Sequence, residues 1–227
     1  MSVARNTLVQ SSLTLASRVL GMVRDILLVA TIGAGPVGDA WATAQQFPNL
    51  FRRIFAEGAF ASAFVPTYAR TLEAEGPEAA RAVAQEAMRV LFAATAALTI
   101  LAQIFMPWVL LLIHGGQADD PEHYNLAVLL TRVTMPYLTF MALAALLSGV
   151  LNSSERFILS AGVPTLLNLC LIPAALISDD PVTTAKAASI AYFIAGVLQA
   201  GALWWGVSRQ KVHLSLLGLP RLTPAVK

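Results

Sequence analysis

FPNLFRRIFAEGAFASAFVP, residues 47–66, has the density of apolar residues expected of a membrane-spanning helix. Its middle nevertheless contains Arg52, Arg53 and Glu57, which are costly to place in lipid. Ionisable side chains within a membrane segment usually face a protein interior or a water-filled cavity, and they are candidates for a functional site. The segment therefore predicts a membrane protein and suggests where its site lies.

The composition of the whole chain also indicates an integral membrane protein. Of its 227 residues, 57% are hydrophobic and 12% are charged, whereas soluble domains carry about 25% charged residues. The mean hydropathy is +0.68, and the net charge of +2 does not by itself indicate a partner. The lone Cys170 excludes an internal disulfide or a cysteine metal cluster. The first apolar segment is too long for a signal peptide, so we expect a retained helix.

Long apolar runs predict six membrane spans, each of about 20 residues or more. They cover approximately residues 8–32, 40–68, 90–113, 127–151, 157–177 and 187–207. The Gly33–Pro36 segment separates the first two spans, and an amphipathic lead-in from Pro77 precedes the third. We expect residues 1–208 to form one six-helix bundle. Residues 209–227 would then form a cytoplasmic tail or the start of a linker.

Basic residues are distributed unevenly over the predicted connections. Those at the two ends of the chain and in every second connection are Arg5, Arg70, Arg81, Arg89, Arg156, Arg209, Lys211, Arg221 and Lys227. The alternate connections, residues 33–38, 114–125 and 178–185, contain neither Lys nor Arg. Cytoplasmic loops of membrane proteins are enriched in Lys and Arg. The pattern therefore predicts that both ends of the chain are cytoplasmic.

The first two predicted spans carry more basic than acidic side chains. The basic ones are Arg18, Arg24, Arg52 and Arg53, and the acidic ones are Asp25, Asp39 and Glu57. A positive surplus within the membrane favours an anionic ligand, and the planar guanidinium binds phosphate through two hydrogen bonds. A diphosphate would suit such a cavity. The alternative is that Arg24 or Arg52 extends to the headgroup layer.

Spacing suggests which of these charges pair locally. Arg53 and Glu57 lie four residues apart, so they share a helix face and can form a structural ion pair. Arg18 and Asp25 lie seven residues apart and can pair loosely. This arrangement leaves Arg24 without a local partner, and Arg52 has no carboxylate three or four residues away.

Other polar positions complete the candidate site. Ser17, Gly21 and Arg24 fall on one helix face, where small residues let another helix or a ligand approach closely. Asp39 begins the second span, where it either caps the helix or acts as a counter-charge to the cavity arginines. Arg132 lies near the start of the fourth span, where reaching the interface or bonding to another helix is as reasonable as a functional role.

The sequence shows no catalytic or metal-binding constellation. The three histidines lie at or beyond the ends of predicted spans. The acidic pairs Asp119-Asp120 and Asp179-Asp180 adjoin prolines in outer connections, where solvated turns are expected. There is no glycine-rich phosphate loop. We therefore expect no enzyme activity, no cofactor, no metal, and no nucleotide or nucleic acid as a partner.

Four groups of residues carry a family resemblance. They are SRVLG at 17–21 with Arg24-Asp25, then Asp39-Ala40 with PNLFRRIFAEGAF at 48–60 and AFVP at 63–66, then LN at 151–152 with RF at 156–157, and PTLLN at 164–168. These motifs closely resemble those of the MurJ/MviN family of lipid II flippases. The likeness covers essentially the whole chain, and its block from Pro48 to Pro66 is long enough to be specific.

The resemblance implies an all-α membrane fold of the multidrug/oligosaccharidyl-lipid/polysaccharide exporter superfamily, with two six-helix lobes of which this chain resembles the N-terminal one. It implies alternating-access movement of undecaprenyl-diphosphate-linked peptidoglycan precursor to the outer leaflet of the bacterial inner membrane, for cell wall biogenesis. Its partners would be lipid II, membrane lipids and a C-terminal lobe. By motif position, the transport residues would be Arg18, Arg24, Asp39 and Arg52, supported by Ser17, Gly21, Asp25, Asn49, Arg53 and Glu57.

Three alternatives remain. The same fold could export another polyprenyl-linked glycan or a drug, although a cation exporter would need surplus carboxylates rather than arginines. A membrane enzyme acting on polyprenyl diphosphates would need paired acids or a histidine beside the arginines, and it would release inorganic phosphate. A scaffold that only recruits other wall-synthesis proteins would tolerate alanine at the buried arginines.

Overall fold

The computed structural model describes residues 3–55, 59–113, 120–154, 156–216 and 218, which form α-helices joined by turns and short connections, with no strand among them. The helices there are α1 (Val3–Ile32), α2 (Pro36–Phe55), α3 (Ala59–Ala74), α4 (Pro77–Ile113), α5 (Pro121–Thr134), α6 (Tyr137–Ser153), α7 (Phe157–Gly162), α8 (Pro164–Ala175) and α9 (Pro181–Ser208). The predicted all-α membrane fold is confirmed. The break between the first two spans is also present, because Gly33 adopts a φ of 77° and α2 begins at Pro36.

Four segments are long and apolar enough to cross a membrane. They are Pro77–Ile113, Pro121–Ser153, Phe157–Ala175 and Pro181–Ser208. They correspond to the third to sixth predicted spans. The 30 residues of α1 and the 20 of α2 are helical as well. Their charged residues lower the hydropathy of both helices, so the first two spans, and with them the count of six, stay predictions.

Prolines divide two of the predicted spans. The fourth span consists of α5 and α6, which meet at Pro136, and the fifth consists of α7 and α8, which meet at Pro164. Proline has no N–H to donate and clashes with the preceding helical turn. The second span, predicted as one helix over 40–68, is recorded as α2 and α3, with residues 56–58 between them outside the described ranges.

The helices pack around two apolar cores, with α6 and α8 against α9, α2 against α5, and α1 against α8. One core joins α1, α2, α5 and α9 and includes Trp41 and Tyr192, whose ring centroids lie 5.9 Å apart. The other joins α3, α4, α6 and the end of α9. Close contact between α6 and α9 requires a glycine, because a Cβ at Gly196 would lie 2.9 Å from Tyr137 Cδ2. Apolar residues of α1 and α2 therefore hold both helices against the rest of the bundle.

Two aspartates cap the helices that follow the predicted outer connections. The Asp120 carboxylate accepts a hydrogen bond from the backbone N–H of Glu122 at 3.2 Å, and Asp180 accepts one from Thr183 N–H at 2.8 Å. Hydrogen bonds from His123 lower the pKa of Asp120, and those from Thr183 lower the pKa of Asp180. Both carboxylates therefore stay ionised at neutral pH and stabilise the first turns of α5 and α9.

The segment after α9 folds back onto α4. Lys211 takes a φ of 61° at the turn, and Leu214 is buried against the second core. The Gln85 amide makes two hydrogen bonds with the backbone of Ser215: its nitrogen donates to the carbonyl, and its oxygen accepts from the N–H at 2.7 Å. The first residues of the predicted tail thus pack on the bundle.

Replacing Gln85 with leucine removes both hydrogen bonds. One such bond contributes about 1 kcal/mol net, so we expect hydrogen exchange of the Ser215 amide to become roughly tenfold to thirtyfold faster. Gln10→Leu, at an exposed position of α1, should leave this exchange rate unchanged. Equal rates in both variants would mean that the apolar contacts of Leu214 alone hold the segment.

Candidate functional site

A cavity of about 1050 Å³ lies along α1 and α2 and extends to α6, α8 and α9. Its charged lining residues are Arg24, Asp25, Asp39 and Arg53. Its uncharged polar lining residues include Ser17, Gln45, Gln46, Asn49, Tyr137, Asn168 and Tyr192. The cavity therefore brings together the predicted site residues Ser17, Gly21, Arg24, Asp25, Asp39, Asn49 and Arg53.

Arg24 is held by side chains on two different helices. Its Nη1 donates to Asn168 Oδ1 at 2.8 Å, while Nη2 and Nε donate to Asp25 Oδ1 at 2.7 and 2.9 Å. The Arg24 side chain is 17% exposed, whereas that of Asp25 is 61% exposed. The prediction that Arg18 pairs loosely with Asp25 was wrong, because the Arg24 side chain bonds to the adjacent Asp25 instead. Arg24 was thus not left without a partner.

Asn168 on α8 determines where the Arg24 guanidinium lies. It is buried at 4% exposure, and its Nδ2 donates to the Ser17 carbonyl at 2.8 Å. Gly21 lies beside it, since a Cβ there would be 3.7 Å from Asn168 Oδ1. The small-residue face of α1 therefore receives α8. Asn168 ends the PTLLN motif but was not among the predicted site residues, although an amide within an apolar span needs hydrogen-bond partners and is a signal in itself.

Asp39 lies in the first turn of α2 and not at its cap. The helix begins at Pro36, and the Asp39 backbone N–H already donates to the Gly35 carbonyl at 2.9 Å. The N-cap interpretation was therefore wrong, although a carboxylate in the first turn still interacts favourably with the helix dipole. Asp39 also borders a smaller cavity of about 180 Å³ together with Asp120 and His123.

Three predicted site residues are not placed in this lining. Arg18 is exposed on α1 and is not among the residues that line the cavity. The Arg52 side chain and all of Glu57 lie outside what the structure describes. Arg132 on α5 is partly buried, and its backbone carbonyl accepts a hydrogen bond from Gln103 Nε2 at 2.7 Å.

The described lining is electrically balanced, with Arg24 and Arg53 against Asp25 and Asp39. The predicted cationic surplus thus depends on Arg18 and Arg52, and it stays a prediction. Among the described residues, the three bonds above use three of the five N–H donors of Arg24, which leaves two for a ligand. An approaching anion can therefore bind Arg24 directly or displace the exposed Asp25 carboxylate.

Comparisons with known proteins agree with this architecture. Residues 28–221 match the family model described as lipid II flippase MurJ. A probable lipid II flippase MurJ of Rhizobium tropici is 41% identical over the whole chain, which covers 43% of that protein. The lipid II flippase MurJ of Burkholderia cenocepacia is 38% identical over 88% of the chain and 39% of its own length.

A solved structure supports the same assignment. The chain is similar to lipid II flippase MurJ in its inward closed conformation, with a TM-score of 0.76 and 26% identity over 92% of this chain and 44% of that one. The chain thus spans less than half the length of the relatives that it matches. The described fold is that of a multi-pass protein of the bacterial inner membrane. With the match over residues 28–221, the chain belongs to the lipid II flippase MurJ family.

Proposed function

We propose that this chain is the N-terminal lobe of a lipid II flippase. It pairs with a second, C-terminal lobe and moves undecaprenyl-diphosphate-linked peptidoglycan precursor from the inner to the outer leaflet. The names of its relatives support this function, and its coverage of 43% of the Rhizobium tropici protein supports the role of a single lobe. A transporter, and not an enzyme, is also what the sequence predicts.

The observation that carries the proposal is the Arg24 guanidinium, which Asn168 and Asp25 hold on the wall of a large cavity. Arginine binds phosphate oxygens through two parallel hydrogen bonds. In the empty state the exposed Asp25 carboxylate neutralises Arg24. A diphosphate takes over that role when it binds, and Asp25 takes it back on release. The arginine therefore stays paired in both states.

The exposed polar face of the cavity supports the need for a second lobe. Asp25, Asp39, Asn49 and Arg53 are all exposed in the isolated chain, although α1 and α2 adjoin apolar spans. Lipid cannot satisfy such groups, so they require protein or a water-filled space opposite them. Alternating access likewise needs two bodies that rock around one site.

The proposed orientation places both ends of the chain in the cytoplasm. Basic residues follow the C-terminal end of α9 and precede α7. The acidic residues Asp120 and Asp180 instead cap the N-terminal ends of α5 and α9. Arg18 and Arg52 are proposed to complete the diphosphate site with Arg24. Asp39 would exchange partners with them as the cavity closes.

Fluorescent lipid II in proteoliposomes tests this function. We expect lipid II to change leaflets when the chain is reconstituted with its second lobe, and no movement when the chain is reconstituted alone. Flipping by the chain alone would contradict the two-lobed mechanism, and absence of flipping by both lobes together would contradict the function. Release of inorganic phosphate would instead favour a membrane enzyme. Faster movement of a different polyprenyl-linked glycan would change the assigned substrate.

A further inference from the structure

A second cavity, of about 750 Å³, lies between the N-terminal half of α1, α7 and the C-terminal end of α9. Its walls are mainly apolar and include Leu13, Leu159 and Leu166. It shares no lining residue with the cavity that contains Arg24. A site here is therefore separate from the proposed transport site.

Two arginines border this apolar cavity at the ends of helices. Arg156 directly precedes α7, and Arg209 directly follows α9. Both side chains are exposed, and within the described part of the chain neither belongs to an ion pair. The cavity thus combines an apolar interior with two guanidinium groups at one end.

Trp205 indicates where the membrane boundary lies. The Arg209 guanidinium carbon stands 4.5 Å from the centroid of the Trp205 ring, a cation–π contact that holds the charge in place. Trp205 is itself 56% exposed near the end of α9. Exposed tryptophans at helix ends are typical of the layer between headgroups and acyl chains. The two arginines then lie at headgroup level, and the apolar walls lie at the level of the acyl chains.

We propose that this cavity binds one acidic phospholipid of the membrane, with the phosphate between Arg156 and Arg209 and an acyl chain along Leu13 and Leu166. Basic pockets between membrane helices on the cytoplasmic side bind anionic headgroups in this way. Guanidinium groups favour phosphate, and a zwitterionic headgroup would bring its own cation into the same pocket. In the proposed orientation the lipid belongs to the cytoplasmic leaflet.

Native mass spectrometry of the two-lobed protein tests this site directly, because it measures bound lipid and not flipping. Phosphatidylglycerol and phosphatidylcholine with identical acyl chains are the probes. We expect phosphatidylglycerol to bind more tightly, and each arginine to contribute about fivefold. The double variant Arg156→Gln/Arg209→Gln should then bind phosphatidylglycerol roughly 25-fold more weakly.

A matched variant controls for the loss of charge. Arg70→Gln/Arg81→Gln removes two exposed or partly exposed arginines from the same proposed membrane side, away from this cavity. It should bind phosphatidylglycerol as the unmodified protein does. Equal loss in both double variants would overturn the site, as would equal binding of the two lipids. Displacement of phosphatidylglycerol by a polyprenyl diphosphate would also overturn it, because the pocket would then belong to the transported substrate.

The acyl chain part of the proposal has its own pair of variants. A Cβ at Gly162 meets open space, and Gly162 lines this cavity. Gly162→Leu should fill the cavity and weaken phosphatidylglycerol binding about tenfold, comparable to excluding a few buried methylene groups. Gly201 also faces open space but does not line the cavity, so Gly201→Leu should bind normally. Normal binding by Gly162→Leu would overturn the placement of the acyl chain.

Discussion

Replacing Arg24 with alanine is expected to abolish the ability of the two-lobed protein to support growth of flippase-depleted cells. The change removes the guanidinium from the cavity wall and leaves Asp25 and Asn168 without their shared partner. Truncating one side of a desolvated charge pair, here the proposed pair of Arg24 with the substrate diphosphate, costs about 2–5 kcal/mol, which corresponds to a roughly 30-fold to several-thousandfold loss of affinity. Flipping of fluorescent lipid II in vesicles measures the loss directly.

One further variant separates the effect of charge from that of geometry at position 24, and a second variant elsewhere serves as the control. Arg24→Lys retains a positive charge but lacks the planar fork, so it should recover only part of the transport. Arg81→Ala is the control, because Arg81 forms a surface ion pair with Glu78 at 3.1 Å and should transport normally. A blot of the membrane fraction checks that every variant is expressed and inserted. Full growth with Arg24→Ala, Arg52→Ala and Asp39→Ala alike would mean that these residues are structural or reach the headgroup layer, and that the site lies in the other lobe.

The second large effect is expected at Asn168, which we regard as a positioning residue. Asn168→Leu has similar volume but leaves Arg24 Nη1 and the Ser17 carbonyl without their hydrogen bonds. An unsatisfied partly buried group costs about 1–3 kcal/mol, so we expect transport to fall roughly tenfold to a hundredfold. The loss should appear in the apparent affinity for lipid II, because Arg24 is still present but is no longer oriented.

Two comparisons distinguish positioning from general instability. Asn168→Asp can still accept from Arg24, yet its charge competes with the substrate anion, so affinity should remain low while the helices stay packed. Asn152 also accepts a side-chain hydrogen bond, from Ser160 at 2.5 Å, but it does not line the cavity. Asn152→Leu should therefore leave affinity unchanged. A change in thermal stability with unaltered affinity in Asn168→Leu would contradict the positioning role.

The sequence predicted that a candidate site lies on the first two spans, and its role in transport stays a prediction. Charged residues that lipid would destabilise had to face a cavity, and Arg24, Asp39 and Arg53 do line one. Their partners could not be derived in the same way. Spacing along one helix ranks only local pairs, and it favoured Arg18 over Arg24 as the partner of Asp25. Asn168 comes from a helix more than 140 residues later in the chain.

The amino-acid sequence alone determined the helical membrane class, the approximate positions of the third to sixth spans and the break at Gly33–Pro36. These features depend on local properties: apolar run length, and backbone angles that glycine permits and proline limits. Only the tertiary structure decided that α8 orients Arg24 and that the segment around Leu214 packs on α4. Such contacts depend on which helix faces meet. Neither hydropathy nor residue spacing within one segment predicts that pairing.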